Sequence, residues 1–356
     1  MASNRLTVLT TGGTIGSIVT QEAIAIGESG KLLQPEIEKI VRNSKLKVDI
    51  ETVFNKHSED LSPRDWIAIA EKVEKVAGSG VSKVVITHGT DTMAYTATAL
   101  SLFFGQSKDA RICLTGSFYS LEDPRTDAPL NLLAALRCVS SGKIGPGVYV
   151  AFRANEKNKV AMLRHAHTIK PMSFDDIAFH GAFGEYVATY KPRSGIQMAE
   201  QTASKPDLGF PSLADRPLPS QDQAADAASR VVFLQEYPGM NVGILEKLST
   251  DEHIKAIVVG LYHSGTAASG NSNNDLKSFI KRTAQKTPAF LATFPHPYLE
   301  TPYESTIKLI KAGGNLYKGL QAHHLFVTLT LGLAQGRSVQ DLIGLLAPWR
   351  LTNGKG

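Results

Sequence analysis

Cysteine is scarce in this chain: two in 356 residues, Cys113 and Cys138, with no C-x-x-C spacing. Two thiols so placed make neither a zinc site nor a disulfide scaffold, and their apolar neighbours mark both as small buried hydrophobes. Long apolar runs are missing too. No stretch approaches the roughly 20 apolar residues of a membrane span, and Met1 to Arg5 runs into an apolar segment without signal-peptide architecture. A cytoplasmic protein with no membrane partner is the expectation. Charge of one sign is nowhere concentrated. The net +5 comes from 38 Lys and Arg against 33 Asp and Glu, spread along the chain without a basic run. Nucleic-acid binding needs such a cluster, so no nucleic-acid partner is expected. Finally, Gly12-Gly13 is not followed by Gly-Lys-Ser/Thr and lacks the G-x-G-x-x-G spacing, which disfavours a P-loop or a dinucleotide cofactor.

What is present is the rhythm of an α/β protein. Short runs rich in apolar residues at 6–9, 48–53, 84–86, 112–115 and 148–152 read as strands covered on both faces. Between them lie amphipathic stretches. Ser62-Pro63-Arg64-Asp65 opens one helix with a serine N-cap, proline at the first helical position and an acid three after the cap. Residues 130–139 read as another. Strands alternating with helices imply a parallel, doubly wound sheet. Residues 196–228 are polar and proline-rich and read as a linker. Beyond it strands recur at 231–234, 256–260 and 289–293, with helices at 274–287, 302–311, 323–333 and 339–346. The expected fold class is therefore α/β: a larger amino-terminal doubly wound domain over 1–195, a linker over 196–228, and a smaller α/β domain over 229–356.

Two strings carry the chemistry. Thr11-Gly12-Gly13-Thr14-Ile15-Gly16 and Thr87-His88-Gly89-Thr90-Asp91-Thr92 each follow an apolar run and place a threonine just past glycine. Ligands of open α/β sheets bind at such strand ends. Glycines let the backbone turn sharply, and the exposed N–H groups of such a turn suit an oxyanion. A tight turn with no ligand is the structural alternative for the first string, and a helix N-cap for Thr90 or Asp91 in the second. Hydroxyls brought to one crevice, one beside an acid, suit nucleophilic catalysis by threonine.

Together the strings resemble the bacterial-type L-asparaginase family, which includes glutaminase-asparaginases. Ser58-Glu59-Asp60 ahead of a helix resembles the family's substrate-binding segment. Thr115-Gly116-Ser117 with Asp127 and Asn131 resembles its next strand end and helix, and Thr168-Ile169-Lys170 the segment of its active-site lysine. Tyr237-Pro238-Gly239-Met240 resembles the entry to its second domain. The resemblance implies hydrolysis of the side-chain amide of L-asparagine, with Thr14, Thr90, Asp91 and Lys170 catalytic. Thr14 is the favoured nucleophile, although the motifs leave open which threonine attacks first. Thr90, Asp91 and Lys170 would form a proton relay. Ser58 would hold the substrate α-carboxylate, Glu59 and Asp91 its α-ammonium. Gly89, Ser117 and His263 are further substrate-binding candidates. No metal or cofactor is implied. A homodimer or homotetramer with sites shared between subunits is.

The chain departs from the family pattern twice. Many members carry a catalytic tyrosine in a mobile lid after the first string. Here no tyrosine precedes Tyr95, itself in a helical stretch, so Thr20, Glu22 or a water would have to activate Thr14. Gly27, Ser29 and Gly30 suit a lid. At the strand end 260–266, an expected asparagine gives way to Tyr262, His263 and Ser264, with Asn271, Asn273 and Asn274 nearby and Glu304 as a candidate cross-subunit acid. His165 and His167 lack the spacing and third ligand of a metal site. Alternative functions are an amidase acting on L-glutamine or a larger amide, and an asparaginase-like binding protein. The family's archaeal amidotransferase subunit carries an extra amino-terminal domain, whereas the first strand here begins by Arg5.

Overall fold

A computed structural model describes residues 5–20, 22–42, 46–154, 156, 158–165, 168–170, 178–181, 186–199, 209–270, 275–292 and 301–351. The chain divides into two compact units, 1–206 and 207–356. In the first, the strands are β1 (Arg5–Gly12), β2 (Ser17–Val19), β3 (Ile24–Ile26), β4 (Lys47–Lys56), β5 (Lys83–Thr87), β6 (Arg111–Thr115), β7 (Gly147–Arg153), β8 (Val160–Arg164), β9 (Thr168–Ile169), β10 (His180–Gly181), β11 (Ala188–Lys191) and β12 (Gly195–Met198). The helices are α1 (Ser29–Val41), α2 (Pro63–Gly78), α3 (Met93–Phe104) and α4 (Ala128–Ser140).

Eight strands form one sheet in the order β12-β11-β8-β7-β6-β5-β1-β4. The five strands from β4 to β7 are parallel, as the alternating pattern requires. β8, β11 and β12 extend the sheet antiparallel. The sheet is thus mixed rather than parallel throughout. The six residues between β7 and β8 are too few for a crossover, which needs a dozen or more, so the chain turns straight back as a hairpin. Leu6, Val8, Val85, Cys113, Tyr149 and Ala151 on one face share a buried core with Leu33 and Ile37 of α1 and Leu132, Ala135, Leu136 and Val139 of α4. Leu9, Val84, Ile86, Leu114 and Phe152, on the other face, are equally buried. Both cysteines are buried and free, and burial pushes the Cys113 thiol well up. α2 and α3 meet through Trp66 stacked on Tyr95, ring centroids 6.4 Å apart.

Strand order reverses at β1. From β1 the chain moves through α1 to β4 on one side, then through α2 to β5 on the other. The carboxyl ends of β4, β1 and β5 therefore flank the topological switch point, where doubly wound sheets leave a crevice.

The second unit has four parallel strands in sequence order, β13 (Val231–Gln235), β14 (Ala256–Gly260), β15 (Ala289–Ala292) and β16 (Asn315–Tyr317). Its helices are α5 (Gln221–Ala228), α6 (Val242–Thr250), α7 (Leu276–Thr283), α8 (Glu304–Lys311), α9 (Ala322–Ala334) and α10 (Val339–Leu345). One face of this sheet packs on α6, α7 and α8 through Leu245, Phe279, Ile280 and Leu309, and the other on α9 and α10 through Leu325, Leu329 and Leu342.

The linker expected over 196–228 overlaps regular structure at both ends. β12 pairs with β11 across a turn closed by Gly195 (φ 69°). α5 is set by a capping box, in which Ser220 Oγ accepts from Gln223 N at 3.2 Å and Gln223 Oε1 from Ser220 N at 2.8 Å. Polar composition concealed both elements. Among the described residues no helix is long and apolar enough to cross a membrane.

Candidate active site

The first glycine turn is built for close backbone approach. Gly13 has φ 80°, and a Cβ there would overlap the amide nitrogen of Gly89. A Cβ on Gly89 would in turn meet the Ser58 side chain. The loops after β1, β4 and β5 thus touch through positions that admit no side chain. Hydrogen bonds fix the arrangement. Gly13 N donates to Lys56 O at 3.3 Å, and Thr11 Oγ1 donates to Thr87 O at 2.8 Å. Thr14 then opens a 3-10 turn, Thr14–Gly16, and is half-buried.

Ser58 and Glu59 lie in a second 3-10 turn, Ser58–Asp60, between β4 and α2. Ser58 is buried and Glu59 exposed. Thr92 Oγ1 donates to Ser58 O at 2.7 Å, tying this turn to the loop after β5.

That loop carries Gly89, Thr90 and Asp91. The buried His88 holds it. A carbonyl only accepts, so His88 Nδ1 donates to Gly89 O at 2.7 Å. Burial lowers the His88 pKa to about 4, which leaves the ring neutral near pH 7 and Nε2 free to accept from Thr96 Oγ1 at 2.8 Å. Among the described residues no peptide bond is cis. With the Gly89 carbonyl fixed on the imidazole, the N–H of Thr90 must point the opposite way.

Lys170 follows the short strand β9, which pairs with β10. Its Nζ donates to Thr90 Oγ1 at 3.0 Å and lies 3.5 Å from Asp91 Oδ1. The ammonium also sits over the Phe179 ring, 5.6 Å from its centroid. Asp91 is open to water, its side chain 63% exposed, so the ion pair adds little to stability. Its geometry fits positioning and proton transfer.

Ser117, after β6, is buried, and its hydroxyl has no hydrogen-bond partner among the described residues. Asn131 Nδ2 donates to Gly116 O at 3.0 Å and to Asp127 Oδ2 at 2.8 Å, while Asp127 Oδ1 accepts from Phe118 N at 2.8 Å. These contacts hold the Gly116–Ser117 turn, and His88 N donates to Thr115 O just before it at 2.8 Å.

Thr14, Ser58, Glu59, Gly89, Thr90, Asp91 and Ser117 therefore stand at neighbouring strand ends of one sheet, and Lys170 reaches Thr90 from a separate hairpin. His263 belongs to the second unit. It is exposed in a turn after β14, where Gly265 N donates to Tyr262 O at 2.8 Å. Glu304 opens α8 and pairs with Lys308 at 2.8 Å. His165 is buried, while His167, Asn271, Asn273 and Asn274 lie outside the described residues.

The segment after Thr14 differs from a bare glycine-hinged loop. β2 and β3 pair as a hairpin, and Ser17 Oγ donates to Gly13 O at 2.9 Å. Ser29 and Gly30, expected in the lid, open α1 instead. Gly30 and Pro35 both disfavour a helix, which hid α1, but burial of Leu33 and Ile37 outweighs them. Thr20 Oγ1 is engaged with Ala23, donating to its carbonyl at 2.8 Å and accepting from its N–H at 3.0 Å. Glu22 is exposed.

The asparaginase amino-terminal family model matches residues 5–193. The chain belongs to the asparaginase family. This asparaginase-family chain is 32% identical over 290 residues to a glutamyl-tRNA(Gln) amidotransferase subunit of Saccharolobus solfataricus, a match covering 79% of the chain and 60% of that protein. It is 29% identical to the Pyrococcus abyssi protein of the same name, covering 86% and 67%. The chain thus spans about 60% of the length of the first of these relatives. Among solved structures, the thermostable L-asparaginase of Thermococcus kodakarensis superposes with a TM-score of 0.74 at 25% identity, covering 96% of each chain. L-asparaginase I of Vibrio cholerae shares the fold, with a TM-score of 0.73 at 21% identity over 98% of each chain.

Proposed function

We propose that this chain hydrolyses the side-chain amide of L-asparagine to L-aspartate and ammonia through a threonine acyl-enzyme. The observation that carries the reading is the contact of Lys170 Nζ with Thr90 Oγ1 at 3.0 Å, with Asp91 at 3.5 Å, in a loop whose backbone abuts the turn before Thr14.

In this reading Thr14 Oγ attacks the amide carbonyl carbon, and the oxyanion is met by the backbone N–H groups of Thr14 and Thr90. The carbon–nitrogen bond breaks, and ammonia leaves with the hydroxyl proton. Water then attacks the Thr14 ester and gives a proton to the Thr90–Lys170–Asp91 relay; the bond from the acyl carbon to Thr14 Oγ breaks, the relay returns that proton to Oγ, and aspartate is released. Ser58 and Glu59 hold the α-carboxylate and α-ammonium, and Ser117 lines the position of the amide. Within the relay, the Asp91 carboxylate 3.5 Å from Lys170 Nζ is the group that exchanges a proton with the lysine as the lysine exchanges one with Thr90 Oγ1. His263 is a candidate contact donated by a neighbouring copy of the chain in a homodimer or homotetramer.

Similarity to amidotransferase subunits named for glutamyl-tRNA(Gln) favours a second reading, release of ammonia from a larger or glutamine-derived amide. Ammonia release from L-asparagine, L-glutamine and aspartyl peptides, measured side by side, separates the two. Turnover of asparagine with the highest kcat/KM supports the first reading. Release from glutamine alone supports the second.

A further inference from the structure

We infer that Lys56 is a positioning residue for the Ser58–Glu59 turn and for the Thr14 loop, acting through Asp65. The inference rests on the reading of Ser58 and Glu59 as the substrate-holding pair. Lys56 is the last residue of β4, three residues beyond the strand expected over 48–53. Its two ends do different work. The carbonyl accepts from Gly13 N at 3.3 Å, one residue before Thr14. The ammonium crosses the turn and donates to Asp65 Oδ1 at 2.6 Å.

Asp65 is buried, and its other oxygen Oδ2 accepts from Ser62 N at 2.9 Å and Ser62 Oγ at 3.0 Å. This is the capping box that starts α2. Lys56 also lies over the Phe54 ring, 5.3 Å from its centroid, which limits the paths its stem can take. The ion pair therefore closes the ten-residue segment 56–65, which contains the Ser58–Asp60 turn.

Within that segment the turn's own bonds are long. Asp60 N reaches His57 O at 3.2 Å, and Leu61 N reaches Ser58 O at 3.2 Å. Beyond these bonds the turn is held by Thr92 Oγ1, which donates to Ser58 O at 2.7 Å, and by its two ends. One end is the β4 ladder, and the other is the α2 cap that Lys56 grips. Because Asp65 is largely shielded and Lys56 only partly exposed, the pair is screened less than a surface salt bridge. Loss of the lysine leaves the cap formed but untethers the turn from the strand.

The test compares Lys56→Met, Lys56→Arg and Asp65→Asn in the full chain. Lys56→Met keeps stem length and removes the charge. It should raise the KM for asparagine about tenfold with kcat changed less than about threefold, the pattern of lost ground-state and transition-state binding alike. Lys56→Arg should restore the KM, since a guanidinium still reaches the carboxylate. The double variant Lys56→Met/Asp65→Asn should be less than additive. Hydrogen exchange of amides 57–62 should quicken in Lys56→Met while β5 and β6 stay protected. Unchanged KM together with unchanged exchange overturns the inference, as does a KM that Lys56→Arg fails to restore. If the wild-type chain does not hydrolyse asparagine, the functional reading fails, and the exchange comparison alone still decides whether Lys56 holds the turn.

Discussion

Lys170 Nζ donates to Thr90 Oγ1 across 3.0 Å, although 80 residues of chain separate the two. The contact joins a strand-end motif to a residue that spacing alone did not single out. In the proposed mechanism the lysine exchanges a proton with the hydroxyl beside it. Lys170→Met should lower ammonia release about 10²–10⁴-fold, the usual cost of removing a positioned acid–base group. Asp91→Ala should also slow turnover by orders of magnitude, since it removes the carboxylate 3.5 Å from Nζ. Steady-state ammonia assays on folded variants check both.

Glu59 is exposed beside the buried Ser58. If its carboxylate reads the substrate α-ammonium, Glu59→Ala should raise the KM for asparagine more than it lowers kcat. An unchanged KM would remove Glu59 from the site.

His88 gives a pH prediction whose sign follows from its burial. Its folded pKa, about 4, lies below the ordinary value of 6.5, so the unfolded chain takes up a proton first as pH falls. The stability it contributes is complete above pH 6.5 and is lost as pH drops from about 6.5 to about 4. The loss amounts to about 3 kcal/mol. Urea titrations at pH 7 and pH 4.5 should show His88→Gln losing less stability on acidification than the wild type. Parallel pH profiles would show that folding leaves the His88 pKa at its ordinary value.

Gly13 has positive φ and its missing Cβ leaves room for the Gly89 backbone. Gly13→Ala should cost at least roughly 1–3 kcal/mol from backbone strain, with collision against Gly89 added to that. Melting temperature and kcat should fall together, because the same collision parts the Thr14 and Thr90 loops.

Much of this was legible in the sequence. β1, β5 and β6 show as short apolar runs because both faces of their sheet are covered, and the two threonine strings mark the strand ends at the switch point. What was not legible had local signals opposed by tertiary gain. α1 contains Gly30 and Pro35 yet buries Leu33 and Ile37. β4 runs to Lys56, past the expected strand over 48–53, because backbone pairing with β1 continues through the polar Asn55 and Lys56. The Lys56–Asp65 pair was invisible for the same reason. An isolated lysine and a capping acid carry no sign of each other until the strand end and the helix start are placed. Likewise, no spacing ties Lys170 to Thr90, because the contact depends on where the β9–β10 hairpin falls.

In the proposed mechanism everything turns on Thr14 as the nucleophile of an asparagine-hydrolysing site. The most direct test measures ammonia release from L-asparagine by the wild-type chain and by Thr14→Ala, with the melting temperature of each. The wild type should release ammonia, and Thr14→Ala should lose that release at an unchanged melting temperature. Full release by the variant, or none by the folded wild type, would contradict this mechanism.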